Sequence, residues 1–194
     1  MNNDIIEPGE GFPTHPHRDA EIFTYVISGE LEHRDSMGNG SVIKPGDLQY
    51  MSAGSGVTHS EFNPSKEHRT ELYQIWMLPN QSGGEPLYAE KKLSESEGIG
   101  GMKLLFSGKG KEGSSPIRQD AEFWLGQGES QKSFTLEPSP TLPHAWIQVV
   151  AGSVKAGDHS LNKADGLAIE HLNQSIELTG ENLRTCFLFR LPPS

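Results

Sequence analysis

The 194-residue chain contains little cysteine and no long apolar segment. Its one cysteine, Cys186, cannot form a disulfide within the chain, and the apolar run Cys186–Phe189 around it predicts a buried structural thiol. No run of 18 apolar residues occurs, and no basic start leads into an apolar segment. From these absences we expect neither a transmembrane helix nor a secretory signal, and therefore a cytoplasmic protein with no membrane partner.

Basic residues are also scarce. Sixteen Lys and Arg stand against 26 Asp and Glu, which gives a formal net charge of −10. No cluster of five or more basic residues is present, so we expect no direct nucleic acid binding. The acidic surface is interpreted as favouring solubility.

A helical period is missing from the first half, and short apolar runs separated by turns take its place. The 22 Gly and 13 Pro together exceed their usual share of about 12%, which suits short strands joined by many turns. We predict strands at residues 21–31, 41–43, 48–51, 72–78, 121–125, 132–136, 145–150, 166–170, 175–178 and 185–191. The predicted fold class is all-β, with one unit at 1–79, another at 119–194, and a connector at 80–118 that carries at most two short strands, at 87–92 and 103–106.

The two halves show weak self-similarity. Tyr25–Glu32 aligns with Gln148–Lys155, because in each an apolar strand reaches a glycine and a second strand follows. Pro45–Leu48 matches Ala164–Leu167 as a turn that leads back into a strand. Duplication of one β-barrel unit would explain both likenesses, and chance similarity between strand-turn-strand units is the alternative.

Two pairs of side chains have the spacing of metal ligands. His15 and His17 are two residues apart, as are His59 and Glu61, so each pair points to one face of an extended strand. Pro16 lacks an N–H, which predicts an edge or irregular strand. The four side chains could hold one divalent transition metal, iron first, with zinc, manganese, nickel, cobalt or copper as alternatives. For a His-x-His pair alone, ordinary surface or core histidines are the alternative.

Several motifs resemble those of bacterial pirins: His15–Glu21, Glu32–Asn39, Met51–Ser65 and Leu72–Trp76, with Trp146–Val150 and Asp165–Ile169 in the second half. The resemblance implies a bicupin, with two tandem cupin barrels and a metal in the N-terminal barrel only. It also implies that the metal ligands are His15, His17, His59 and Glu61, and it points to quercetin 2,3-dioxygenase activity, which several members of the family have.

The implied function is a metal-dependent dioxygenase that acts on a small aromatic substrate, a flavonol or related enediol, together with O₂. Glu61, the expected catalytic residue, would take the proton of the substrate hydroxyl. The metal would lower the barrier through proximity and Lewis acidity. A metal-binding regulatory pirin that binds partners without turnover is the alternative, and a metal-bound relic without turnover is a third.

Other residues around these motifs are given supporting or structural roles. Glu21 shares strand parity with His15 and His17, and we expect it to orient a ligand from outside the coordination shell. His33 and His68, which flank turns, are expected at the surface. The second-half histidines are irregularly spaced and are expected not to bind metal, and the tryptophans are expected in the core: His144, His159 and His171, and Trp76, Trp124 and Trp146.

The chain begins close to the glycine that precedes His15 in the motif, whereas members of the family usually have further strands upstream. We therefore expect part of the wall of the first barrel to be missing. An open edge leaves backbone N–H and C=O groups unpaired, so it would either pair with a second copy in a homodimer or leave the metal more exposed to solvent.

Overall fold

The computed structural model describes residues 1–93, 101–127, 133–182 and 184–193. The chain divides into two compact units, Met1–Ser94 and Glu95–Ser194. Within the described ranges the regular structure is strand, apart from a single 3₁₀ turn at Lys111–Gly113. In the same ranges, no helix has the length and apolar character needed to cross a membrane. The predicted all-β class is confirmed.

The first unit consists of two antiparallel sheets. A five-stranded sheet has the order β1-β8-β3-β6-β9, and a four-stranded sheet has the order β2-β7-β4-β5. The strands are β1 Asn2–Ile6, β2 Gly11–His17, β3 Glu21–Ser28, β4 Leu31–Asp35, β5 Gly40–Ile43, β6 Leu48–Ser52, β7 Val57–Phe62, β8 Thr70–Met77 and β9 Leu87–Lys91.

The facing sides of these sheets form the interior of the unit. Successive side chains of a strand point to opposite faces, so Ile22, Thr24 and Val26 of β3 point the same way. Ile22 belongs to one buried apolar cluster and Val26 to another. Thr24 lies between them and donates a hydrogen bond to Glu61 of the opposite sheet. The interior is therefore apolar on both sides of a polar centre.

The second unit repeats this topology. Its strands are β10 Met102–Ser107, β11 Ser115–Pro116, β12 Glu122–Gln127, β13 Ser133–Leu136, β14 His144–Ala151, β15 Ser153–Ala156, β16 His159–Asn162, β17 Gly166–Ile169, β18 Ile176–Gly180 and β19 Thr185–Leu191. One sheet has the order β11-β10-β12-β19-β14-β17, and the other has the order β13-β18-β15-β16. The order β2-β7-β4-β5 thus recurs as β13-β18-β15-β16, so the two units share one strand order, as the predicted duplication requires.

Glycines at equivalent turns show why the repeat was visible in the sequence. Gly29 and Gly152 each follow a long central strand and have positive φ, +75° and +90°. A Cβ on Gly29 would lie 2.5 Å from the carbonyl oxygen of Arg69, and one on Gly152 would collide with that of Asn182. Only glycine fits such a turn without strain.

Several predicted boundaries differ from the structure. The strand predicted at 21–31 is two strands, β3 and β4, because Gly29 turns the chain between them. Within the predicted connector 80–118, β9 pairs with β6 of the first unit and β10 pairs with β12 of the second. Residues 94–100 of that segment, and residue 132 of a predicted strand, lie outside the described residues.

Candidate metal centre

Two neighbouring strands place three histidines on one face of the four-stranded sheet. His15 of β2 lies directly opposite His59 of β7, and His17 follows two residues after His15. As Pro16 predicted, β2 is at the edge of this sheet, and its register with β7 shifts between Phe12 and His15. An edge strand tolerates a proline because its outer N–H groups have no ladder partner.

The three imidazoles converge through the same type of atom. Nε2 of His59 lies 2.9 Å from Nε2 of His17 and 3.0 Å from Nε2 of His15. A neutral imidazole has one N–H, so His59 cannot donate to both neighbours from one nitrogen. Nδ1 of His15 donates to the carbonyl of Pro13 at 2.8 Å, which leaves its Nε2 lone pair facing the centre. A cation bound between these nitrogens would resolve their crowding, so the residues fit a metal ion.

The local environment keeps two of these rings neutral. Burial, reinforced by the charges of His15, His33 and His17, lowers the pKa of His59 to about 3. Burial and the neighbouring His15 also lower the pKa of His17. Neutral imidazole is the form that binds metals. Nδ1 of His59 is buried and has no hydrogen-bond partner among the described residues.

Glu61 lies beside this cluster, and its carboxylate is held by the opposite sheet. It accepts hydrogen bonds from Gln74 at 2.9 Å and from Thr24 at 3.5 Å. Burial raises the pKa of its carboxyl group. Its oxygen falls into a second group of metal-ligating atoms with His33 and His59, all within 4.8 Å of one another. Three of the four predicted ligands therefore converge, and the fourth adjoins His59.

His33 is the first of three residues in this region that the sequence placed wrongly. It is fully buried rather than at the surface, lies opposite Glu61 in register, and packs its ring 5.2 Å from that of His59. Its Nε2 donates to Asp35 at 3.2 Å, and its Nδ1 accepts from Gln49 at 3.3 Å. Burial is the main cause that lowers the pKa of His33. Its parity with buried Leu31, two residues earlier, was the signal that could have placed it inside.

The structure also corrects the role predicted for Glu21. Its carboxylate accepts hydrogen bonds from Tyr50 and, at 2.5 Å, from Ser52. Glu21 and Thr24 are three residues apart on β3, so they point to opposite faces, and it is Thr24 that reaches Glu61. Glu21 is therefore directed away from the histidine cluster and does not orient a ligand.

The three tryptophans occupy different environments. Trp76, predicted in the core, is 47% exposed, and its ring centroid lies 4.8 Å from that of His17. Trp124 and Trp146 are half-buried, and Trp124 packs against the core of the second unit. The prediction of a core position is therefore wrong for Trp76, which borders the histidine cluster.

The second-unit histidines do not lie on β13 and β18, the strands that correspond to β2 and β7 of the first unit. The rings of His144 and His171 are 4.7 Å apart, and His159 is exposed on β16.

Cys186 is buried, as predicted, and burial raises the pKa of its thiol to about 12.

Known proteins resemble this chain over nearly its whole length. Residues 1–77 match the family model for pirin, and residues 104–191 match that for the quercetinase C-terminal cupin domain. Quercetin 2,3-dioxygenase of Escherichia coli K12 is 40% identical over 195 residues, which span all of this chain and 81% of that protein. The crystal structure of the bacterial pirin YhhW from Escherichia coli in complex with nickel(II) superimposes with a TM-score of 0.89 at 38% identity, covering 99% of this chain and 81% of that one. The protein YhaK from Escherichia coli gives a TM-score of 0.81 at 25% identity, covering 98% and 83% of the two chains. The bicupin fold is therefore confirmed.

Proposed function

Because the chain belongs to the pirin family, we propose that it is a metal-dependent dioxygenase acting on a flavonol or a related enediol, with O₂ as the second substrate. The observation that carries this proposal is the convergence of three imidazoles beside a buried carboxylate: Nε2 of His17 and Nε2 of His15 both lie within 3.0 Å of Nε2 of His59. The name quercetin 2,3-dioxygenase, carried by a relative 40% identical to this chain, supports the substrate class.

The donor set suits one divalent transition metal. His15, His17 and His59 would hold it, and Glu61 would complete the set from its position beside His59. When bound, such an ion supplies a Lewis acid for the adjacent oxygens of the substrate. We take iron as the first choice of native ion and nickel, the ion in the YhhW complex, as the leading alternative.

The chain's own residues prepare proton transfer. A flavonol must lose the proton of its hydroxyl group before it reacts as an anion, and Glu61 is the buried carboxylate at the site. Gln74 and Thr24 fix the two oxygens of Glu61 from the opposite sheet. The hydrogen bond from His15 to the Pro13 carbonyl fixes the tautomer that presents Nε2 to the centre. These contacts set the geometry before the substrate binds.

Oxygen uptake by metal-loaded protein tests this proposal. Purified protein would be assayed for bound metal by elemental analysis and for oxygen consumption with quercetin. We expect turnover that His17→Ala removes and that the exposed His68→Ala leaves unchanged. Metal-loaded protein that consumes no oxygen with any of a panel of flavonols would contradict the dioxygenase and favour the partner-binding alternative.

A further inference from the structure

Two exposed aromatic side chains border the histidine cluster from different sheets. Trp76 of β8 is 47% exposed and meets the His17 ring edge-on at 4.8 Å. Phe12 of β2 is 42% exposed, and its ring centroid lies 6.5 Å from that of His15. Single exposed apolar residues need no explanation, but two large aromatics beside the same group of ligands indicate a surface that a ligand covers.

Both side chains are on the faces that carry the site. Phe12 lies opposite Glu61 in register, so the two share a face of the four-stranded sheet. Trp76 lies opposite Ile22, a member of an interior cluster, so it points to the inner face of the five-stranded sheet. Both aromatic side chains therefore point into the space between the two sheets, where the imidazole nitrogens converge.

Trp76 is also connected to Glu61 through one intervening side chain. Its indole N–H donates to Oε1 of Gln74 at 3.1 Å, and Nε2 of the same amide donates to Oε2 of Glu61 at 2.9 Å. The indole bond fixes which end of the Gln74 amide faces the carboxylate. It also satisfies the single polar group of the indole and leaves an apolar ring surface for a ligand.

We propose that Trp76, with Phe12, forms the platform on which the planar ring system of an aromatic substrate lies in front of the histidine cluster, and that the indole N–H positions Glu61 through Gln74. The proposal rests on the function proposed above and deepens it. A stacking platform selects a flat, multi-ring substrate such as a flavonol over a small non-aromatic enediol. Trp76 is thus a specificity-determining residue, and it acts on Glu61 as a positioning residue.

Binding without turnover tests the platform. Equilibrium dialysis under anaerobic conditions would measure the affinity of the nickel(II)-loaded protein for three probes: quercetin, luteolin, which lacks the 3-hydroxyl of quercetin, and ascorbate, a non-aromatic enediol. We expect Trp76→Ala to weaken quercetin and luteolin binding by about threefold to tenfold, the range for one lost aromatic contact. Phe12→Ala should act in the same direction, and neither variant should change ascorbate binding.

Ile5→Ala is the matched control, because Ile5 is a similarly exposed apolar side chain on the neighbouring strand β1 and points to the other face. It should bind all three probes as the unaltered protein does. Circular dichroism would show that each variant is folded, and Phe12→Ala keeps the platform testable should Trp76→Ala fail to fold. Unchanged quercetin and luteolin affinities in folded Trp76→Ala protein would overturn the platform.

Trp76→Phe separates the two roles of the residue. It keeps an aromatic ring but removes the N–H, so we expect an unchanged KM for quercetin and a reduced kcat. An unchanged kcat would overturn the link to Glu61. Failure of the proposed function looks different: quercetin and luteolin would bind in a Trp76-dependent manner, yet no variant, nor the unaltered protein, would consume oxygen.

Discussion

Replacing His59 with alanine should lower the affinity for metal more than any other single substitution. Nε2 of His59 is the atom common to both short contacts of the cluster, 2.9 Å to His17 and 3.0 Å to His15. The variant retains two imidazoles, which lie on one edge strand and have lost their partner on β7. The two imidazoles of this strand and the Glu61 carboxylate then lack the nitrogen at which both short contacts meet, so the affinity should fall steeply.

The size of the effect follows from ligand loss and linkage. Removing even a group that only orients a ligand typically costs about 10–100-fold in metal affinity, so we take the upper end, about 100-fold, for a direct ligand. At a free metal concentration 1,000 times the Kd, binding stabilises the native state by about 4.1 kcal/mol, and at 10 times the Kd by about 1.4 kcal/mol. The difference of about 2.7 kcal/mol corresponds to roughly 11–22 °C in Tm for a domain of the size of the first unit, Met1–Ser94.

Thermal unfolding with and without nickel(II) measures this increment. The comparison must use the metal-dependent rise in Tm, because His59→Ala also removes a buried ring and changes the stability of the metal-free protein. His68→Ala, an exposed histidine outside the cluster, is the control and should keep the full rise. Stoichiometric metal and an undiminished Tm rise in His59→Ala would refute the assignment of His59 as a ligand.

Glu61→Gln keeps the shape of the side chain but cannot accept a proton, so quercetin-dependent oxygen uptake should fall by about 100-fold or more, and an unchanged rate would contradict its role as base. Gly29→Ala should lower the free energy of unfolding in denaturant titrations by about 1–3 kcal/mol, and by more than Gly46→Ala, where φ is also positive but nothing lies near the added Cβ. Because burial raises the pKa of the Cys186 thiol to about 12, the folded protein should resist thiol reagents. The unfolded chain loses this proton first, so the free energy of unfolding should decline as the pH rises from about 9 towards 12. Cys186→Ala should flatten that decline.

The fold and most of the site could be predicted because they depend on local patterns. Side chains two residues apart on a strand share a face, so His15 lies with His17 and His59 with Glu61 regardless of how the other strands are arranged. The glycine at position 29 and its counterpart in the second half revealed the repeat because the turns they occupy exclude a side chain. Burial of Cys186 followed from its apolar neighbours.

The errors arose where a local pattern was extended past a turn. Parity counted from His17 placed Glu21 on the site face, but Asp19, between β2 and β3, has a φ of 50°. The chain turns there, and the alternation of β2 does not continue into β3. His33 was assigned to the surface from the adjacent turn, although its own strand buries it. Whether the first barrel's edge forms a homodimer stays a prediction.

The second unit shows what the candidate metal centre requires beyond the fold. Its strands β13, β18 and β15 occupy the positions of β2, β7 and β4 in the shared strand order. They contribute Leu136, Leu178 and Val154 to one buried apolar cluster, where the first unit carries histidines and Glu61. Imidazole and carboxylate groups cost free energy when buried without partners, whereas these aliphatic side chains stabilise a barrel by burial alone. The same topology therefore serves as an apolar core in one unit, and in the other as a polar centre whose groups a bound cation would compensate.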